Sequence, residues 1–139
     1  MWFLTNSGPV GVGKSYLLYL LAADFRSRHE TYRVTYINDC AAWKNKRFIY
    51  LLREFVTTFF DDDIDGDTIV NLCKRVTESD KEEKMMTLMI DSLIAFTRKK
   101  KLQWIVICDQ HNAFYSRTVV VDQFPFNIIS QLSSERGDK

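Results

Sequence analysis

The chain has 139 residues, of which 46% are hydrophobic and 14% aromatic, a composition that predicts a folded domain and excludes a disordered chain. Nineteen basic and 18 acidic residues leave a net charge of +1, so the charge balance gives no support to nucleic-acid binding and no attraction to an anionic membrane. The three cysteines, Cys40, Cys73 and Cys108, have neither the spacing of a zinc site nor the even number of a disulfide framework. We expect one intracellular domain, cytoplasmic or nuclear, with no signal peptide and no membrane-spanning segment.

The first predicted elements are a short apolar strand at residues 2–6 and a glycine-rich loop that matches G-x-x-x-x-G-K-S, the Walker A pattern. In that pattern the glycines let backbone N–H groups surround phosphates, the lysine reaches the β and γ oxygens, and the serine hydroxyl ligates Mg²⁺. We therefore predict Lys14 as a catalytic residue and Ser15 as a metal ligand. The predicted nucleotide-binding residues are Gly8, Pro9, Val10, Gly11, Val12, Gly13, Lys14, Ser15 and Tyr16.

A helix and a second strand follow the loop. A stretch without glycine or proline predicts a helix from Lys14 to about His29, which places its positive N-terminal end at the phosphates. Its apolar stripe is predicted as Leu17, Leu20, Leu21 and Phe25. A strand is predicted at residues 33–37, and the next helix at residues 46–60.

Residues 61–67 (D-D-D-I-D-G-D) match the opening of a calcium-binding EF-hand loop, but Leu72 stands where the bidentate glutamate belongs. We therefore interpret them as an acidic turn before a short helix that ends near Val76. Ser79-Asp80 are predicted to cap a helix of about 18 residues that ends in a basic run at residues 98–101. We interpret this run as a solvated helix end rather than as a nucleic-acid contact.

Residues 104–109 (W-I-V-I-C-D) form a continuous apolar run that ends in a carboxylate, the Walker B pattern of a strand buried on both faces. Asp109 is the predicted second anchor for Mg²⁺, held through a water, and Cys108 a buried thiol. The next residue, Gln110, replaces the glutamate that many ATPases use as a base; an amide orients water but is a poor base. Slow hydrolysis, a base supplied elsewhere and binding without turnover remain open.

The alternation of strands and helices predicts an α/β fold, a three-layer P-loop NTPase core with a parallel sheet of about three strands. Residues 124–132 are predicted as a short helix, and no further strand follows them. We therefore expect a domain over residues 1–139 that is incomplete at its C-terminus. Its open sheet edge predicts a protein partner or a companion domain.

Three segments together resemble the ATPase domain of Crinkler-type and retrotransposon-hot-spot-type proteins, a P-loop branch related to the AAA and STAND groups. They are residues 8–21 (GPVGVGKSYLLYLL), 33–43 (RVTYINDCAAW) and 105–112 (IVICDQHN). Asp-Gln at the Walker B position is part of this resemblance, and Asp39 and Trp43 mark the family. The resemblance implies phosphate and Mg²⁺ contacts at Gly8, Gly11, Gly13, Lys14 and Ser15, and a Mg²⁺ anchor at Asp109. Many family members are secreted effectors with a further nuclease-like or kinase-like module, a role that this chain does not support.

The predicted function is Mg²⁺-ATP binding with ATP hydrolysis, in which Lys14, Asp109 and Gln110 act on the γ-phosphate and the attacking water. ATP is preferred to GTP because of the family resemblance, and because the chain contains no guanine-specifying N-K-x-D motif. One alternative is a nucleotide-binding interaction module without turnover. Another is an inactive fragment of an ATPase.

Overall fold

The computed structural model describes residues 1–5, 13–64, 66–78 and 81–109. Within them the chain folds into strands and helices that alternate along much of the sequence. The elements are β1 Trp2–Thr5, α1 Lys14–Ser27, β2 Tyr32–Ile37, α2 Cys40–Thr58, β3 Asp63–Ile64, β4 Asp67–Thr68, α3 Ile69–Thr77, α4 Glu82–Lys99 and β5 Gln103–Cys108. None of the described helices combines the length and the apolar character that are needed to cross a membrane.

A parallel three-stranded sheet in the order β1-β5-β2 organises the described residues. Its central strand β5 is buried from Trp104 to Cys108 because it has a parallel neighbour on each side and packed layers above and below. The predicted α/β class, the parallel sheet and the buried strand are therefore confirmed. The predicted burial of Cys108 is confirmed as well.

Helices cover both faces of this sheet. Alternate residues of β5 point to opposite faces, so Ile105 and Ile107 pack with Leu18 and Ala22 of α1. Trp104, Val106 and Cys108 pack on the other face with α2, α3 and α4, where an aromatic cluster fills the larger core. Its edge-to-face rings are Phe55, Phe59, Phe96 and Trp104.

The buried stripe of α1 differs in part from the predicted one, of which Phe25 does pack against the core. Leu18 and Ala22 are buried, whereas the predicted stripe residues Leu17 and Leu20 are 60% and 45% exposed. The first turns of α1 are apolar all round, so helical spacing alone permits more than one buried stripe. Packing against β2 and β5 selects the stripe that lies over the sheet.

Helix α2 begins earlier than predicted, at Cys40 instead of residue 46, because Asp39 caps it and accepts a hydrogen bond from the Ala42 N–H at 2.8 Å. The helix is broken at Arg47, where φ is 49° and ψ is −120°. The Phe48 N–H donates to the Glu82 carboxylate of α4 at 2.8 Å, so a side chain distant in sequence supplies an acceptor at the break.

The acidic segment after α2 is a small antiparallel hairpin, β3 with β4, rather than a simple turn. Asp62 pairs with Arg33 through two hydrogen bonds of 2.6 and 2.7 Å, and Thr68 is the N-cap of α3. Helix α4 has the predicted length, but Lys81 occupies its N-cap position. The predicted caps, Ser79 and Asp80, lie outside the described residues.

Candidate functional site

The carboxyl ends of the three parallel strands meet at one edge of the sheet, which is where ligands bind in open α/β folds. Thr5 of β1 lies beside Cys108 of β5, and Cys108 lies beside Ile37 of β2. The glycine-rich segment follows β1 directly, and Asp109 follows β5. The predicted phosphate loop and the predicted Mg²⁺ anchor therefore follow two neighbouring strands at the same edge of the sheet.

Much of the predicted phosphate loop, Gly8 to Val12, lies outside the described residues, as does Gln110. Its last glycine, Gly13, is described as the N-cap of α1 with φ 70° and ψ 19°. This left-handed conformation is one that glycine adopts without steric cost. A Cβ at Gly13 meets no atom of the described residues within 4 Å, so the backbone conformation is what favours glycine at this position.

The N-terminal end of α1 is suited to binding an anion. The first N–H groups of any helix lack intrahelical acceptors, and Gly13 has no side chain to cap them. The first turn contains no acidic residue, so nothing there opposes a negative ligand. Lys14 is half-buried, whereas Ser15 and Tyr16 are exposed.

Asp109 occupies a more enclosed position, with 8% of its surface exposed. Its N–H donates to the Ile37 carbonyl at 2.8 Å, which extends the β5–β2 ladder by one residue. Since residues two apart on a strand share a face, Asp109 lies on the same face as Ile105 and Ile107, the face that α1 covers. Asp109 therefore lies on the face of the sheet that is covered by α1, the helix that begins with Lys14 and Ser15.

Tyr36, which was not predicted as a site residue, lies close enough to Asp109 for the carboxylate charge to act on its phenol. Burial, followed by the negative charge of Asp109, raises the pKa of Tyr36 above its usual value. The ring of Tyr19, from α1, contacts the ring of Tyr36 edge-on with centroids 6.4 Å apart.

Tyr36 could have been identified from the sequence by the alternation of side chains along β2. It is the last residue of β2 that faces α1, and the predicted carboxylate ends the neighbouring strand on the same face. That deduction requires β2 and β5 to be neighbours, which strand prediction by itself does not provide.

The donor atoms at this edge suit a hard cation such as Mg²⁺. Mg²⁺ prefers oxygen ligands and commonly takes one or two from the protein, with water and substrate phosphate supplying the rest. The Ser15 hydroxyl and the Asp109 carboxylate are donors of this type. In the part of the chain that the structure describes, no three His, Cys, Asp or Glu side chains come together to hold a metal ion without such a substrate.

The other sequence features have structural roles. Asp39 caps α2, and Trp43 is fully buried in the larger core. Asp67, in the acidic hairpin, accepts hydrogen bonds from the Thr68 N–H and from the Asn71 amide. The basic run at residues 98–101 is exposed at the C-terminal end of α4, where positive charge complements the helix dipole.

A separate apolar groove of about 470 Å³ lies at the opposite edge of the sheet. Trp2, Tyr32 and Gln103, which begin the three strands, line it together with Leu4, Phe25 and Ile105. Among the described residues that line it there is no carboxylate and no basic side chain to bind Mg²⁺ or phosphate. This groove is therefore not a candidate for the predicted phosphate site.

Comparison of the chain with protein-family models, with curated proteins and with solved structures finds no match.

Proposed function

We propose that the chain is a P-loop domain that binds Mg²⁺-ATP and hydrolyses it. The observation that carries the proposal is the location of Asp109. It ends the strand that pairs directly with β1, and it lies on the face covered by the helix that G-x-x-x-x-G-K-S opens. The left-handed Gly13 and the exposed first turn of α1 support the phosphate-binding part.

The roles follow from the chemistry of each side chain. Backbone N–H groups at the start of α1 and the Lys14 ammonium bind the β- and γ-phosphates. When bound, Mg²⁺ neutralises the charge on these phosphates, with Ser15 as a direct ligand and Asp109 holding it through a water. Gln110 orients the attacking water. The water oxygen bonds to the γ-phosphorus as the bond to the β–γ bridging oxygen breaks, and ADP leaves with that oxygen.

The arrangement of helices and sheet in layers supports a P-loop core as the fold that carries this function. Helix α1 on one face and helices α2, α3 and α4 on the other enclose a parallel sheet, as the proposed three-layer core requires. The same proposal includes membership of the Crinkler-type ATPase domains, an intracellular location and a protein partner.

A second candidate function is a nucleotide-binding interaction module that changes its partner affinity without turnover. Gln110 favours it, because an amide orients water but accepts a proton poorly. The two candidates share the binding site and differ only in release of phosphate.

The first test is a titration of a fluorescent ATP analogue in the presence of Mg²⁺. The wild-type chain is compared with Lys14→Ala, and with Lys84→Ala as a matched control on an exposed position of α4. We expect micromolar binding by the wild type and the control, and a loss of at least ten-fold in Lys14→Ala. No binding by a folded wild type would contradict the proposal and favour an inactive fragment.

A single-turnover measurement of phosphate release then separates the two candidates. Release that stops in Lys14→Ala supports the ATPase. Tight binding with no release over hours supports the interaction module.

A further inference from the structure

The carboxyl edge of the sheet carries a polar side chain that the proposed site does not use. Asn38 directly follows Ile37, the last residue of β2, which lies beside Cys108 of β5. The Asp109 N–H donates to the Ile37 carbonyl at 2.8 Å, so the two strands stay paired up to this point. Asn38 and Asp109 are therefore the residues that follow two neighbouring strands in register.

The amide of Asn38 is exposed and is held by a buried group. Its Oδ1 accepts a hydrogen bond from the Tyr50 hydroxyl at 2.9 Å, and Tyr50 is buried in the larger core. The oxygen and the NH2 group of an amide lie on opposite sides of its carbon, so the NH2 group is directed away from Tyr50. In the part of the chain that the structure describes, this NH2 group has no acceptor.

The order of the strands decides which part of a nucleotide this amide meets. Neighbouring strands are about 4.8 Å apart and β5 is the central one, so Asn38 lies roughly 5 Å from Asp109 and roughly 10 Å from the end of β1. The predicted phosphate loop follows β1, and the predicted Mg²⁺ anchor is Asp109. The position beyond that anchor is therefore nearest to the last phosphate, which in the proposed site shares Mg²⁺ with it.

The two side chains reach this edge from opposite layers. Asn38 is bonded to α2 through Tyr50, whereas Asp109 lies on the face that α1 covers. A phosphate above the edge thus has the carboxylate, with its metal, on one side and the amide on the other.

We propose that Asn38 is a further substrate-binding residue, whose NH2 group donates to an oxygen of the γ-phosphate and lets the site distinguish a nucleoside triphosphate from a diphosphate. The inference rests on the proposed function. Because Tyr50 already orients the amide, little side-chain freedom is lost when the phosphate binds. Removal of a hydrogen bond to a charged group typically weakens binding by about ten-fold or more.

The role predicts a specific effect of replacing one atom group. Asn38→Asp keeps the size of the side chain and an oxygen that accepts from Tyr50, but a second carboxylate oxygen replaces the NH2 donor. That oxygen repels the γ-phosphate instead of binding it. A diphosphate has no γ-phosphate, so its affinity should change little.

The experiment measures the dissociation constants of fluorescent ATP and ADP analogues at saturating Mg²⁺. The variants are Asn38→Asp and Asn38→Ala, which removes the donor without adding charge. The matched control is Asn45→Asp, the same chemical change at an exposed position of α2. Lys14→Ala is included as the test of the proposed function, and thermal unfolding of each variant establishes that it is folded.

We expect both Asn38 variants to bind the ATP analogue at least ten-fold more weakly than wild type and the ADP analogue within three-fold of wild type. Asn45→Asp should match wild type with both analogues. A wild-type ratio of the two dissociation constants in the folded Asn38→Ala variant would overturn the inference. This holds whether both affinities are retained or both are weakened equally, because equal weakening indicates a purely structural role.

The controls separate this inference from the proposed function. Loss of both analogues in Lys14→Ala, with a wild-type ratio in the Asn38 variants, removes the role of Asn38 and leaves the nucleotide site standing. A folded wild type that binds neither analogue overturns both.

Discussion

A buried chain of hydrogen bonds on the α2 side of the sheet offers a test of the fold that supports the site. The Trp104 indole N–H donates to the Thr35 hydroxyl at 3.0 Å, and this hydroxyl lies 2.8 Å from the hydroxyl of Thr58. Thr58 in turn donates to the Glu54 carbonyl at 2.7 Å. The chain therefore joins β5, β2 and α2 at a place where Thr35 is fully buried.

Thr35→Val keeps the shape of the side chain and removes the acceptor of the indole N–H. A buried donor without a partner costs about 1–3 kcal/mol, and Thr58 retains its bond to the Glu54 carbonyl, so we expect a loss of about 2 kcal/mol. For a chain of this size that corresponds to a fall in melting temperature of roughly 8 °C. Thr35→Ser keeps the hydroxyl and loses one methyl group, which should cost only about 1 kcal/mol.

The assay is urea unfolding followed by tryptophan fluorescence, with Thr57→Val as the matched control. Thr57 is exposed on α2, and its hydroxyl bonds only locally to the Arg53 carbonyl, so the control should stay within about 0.5 kcal/mol of wild type. A loss in Thr35→Val as small as that of the control would refute the reasoning. So would a Thr35→Ser variant less stable than Thr35→Val.

Two further predictions concern the glycines at positive φ and the reactivity of the cysteine thiols. Gly13→Ala and Gly66→Ala both place a side chain at positive φ, 70° and 80°, with no atom of the described residues within 4 Å, so each should lose about 1 kcal/mol of folding stability. In binding titrations only Gly13→Ala should also lose affinity for Mg²⁺-ATP, and equal binding by the two variants would contradict the role of Gly13. Burial raises the pKa of Cys73 to about 11 from its usual 9.0, so its alkylation at pH 8 should be about 100-fold slower than that of a free thiol and should accelerate up to pH 11. Because the pKa is higher in the folded state, the stability that this thiol contributes is complete below pH 9 and is lost as the pH rises toward 11. Cys40 and Cys108 are fully buried and should react only after unfolding, which mass spectrometry of the alkylated chain measures.

The rate of the proposed hydrolysis depends on the role of Gln110. A glutamine orients water by donating and accepting hydrogen bonds, but the proton of that water then passes to another acceptor, such as the γ-phosphate itself. A Gln110→Glu variant in the single-turnover assay is therefore informative. Faster phosphate release would indicate that proton transfer limits the wild type.

Much of the fold was predictable from local pattern. The continuous apolar run of β5 and the terminal carboxylate predicted a buried strand and the position of Asp109, and both are confirmed. The helix after the glycine-rich loop was predicted to begin at Lys14, where it does begin. Such predictions succeed because hydrophobic periodicity, and the breaks made by glycine and proline, depend on only a few neighbouring residues.

The errors have a common origin in contacts between distant segments. The start of α2 was missed because the break at Arg47 interrupts the helical pattern, and Glu82, 34 residues after Phe48, supplies an acceptor there. The stripe predicted for α1 was right at Phe25 and wrong at Leu17 and Leu20, because the leucines and tyrosines of the helix leave its buried side undefined until a sheet packs against it.

The sequence by itself determined which residues are candidates for phosphate and Mg²⁺ binding: a glycine-rich loop ending in Gly13-Lys14-Ser15, and a carboxylate at the end of an apolar strand. Only the tertiary structure decided that β5 lies between β1 and β2, and therefore that Asp109 faces α1 beside Tyr36. The physical reason is that strand order is set by packing and hydrogen bonding between segments up to about a hundred residues apart. No local pattern contains that information.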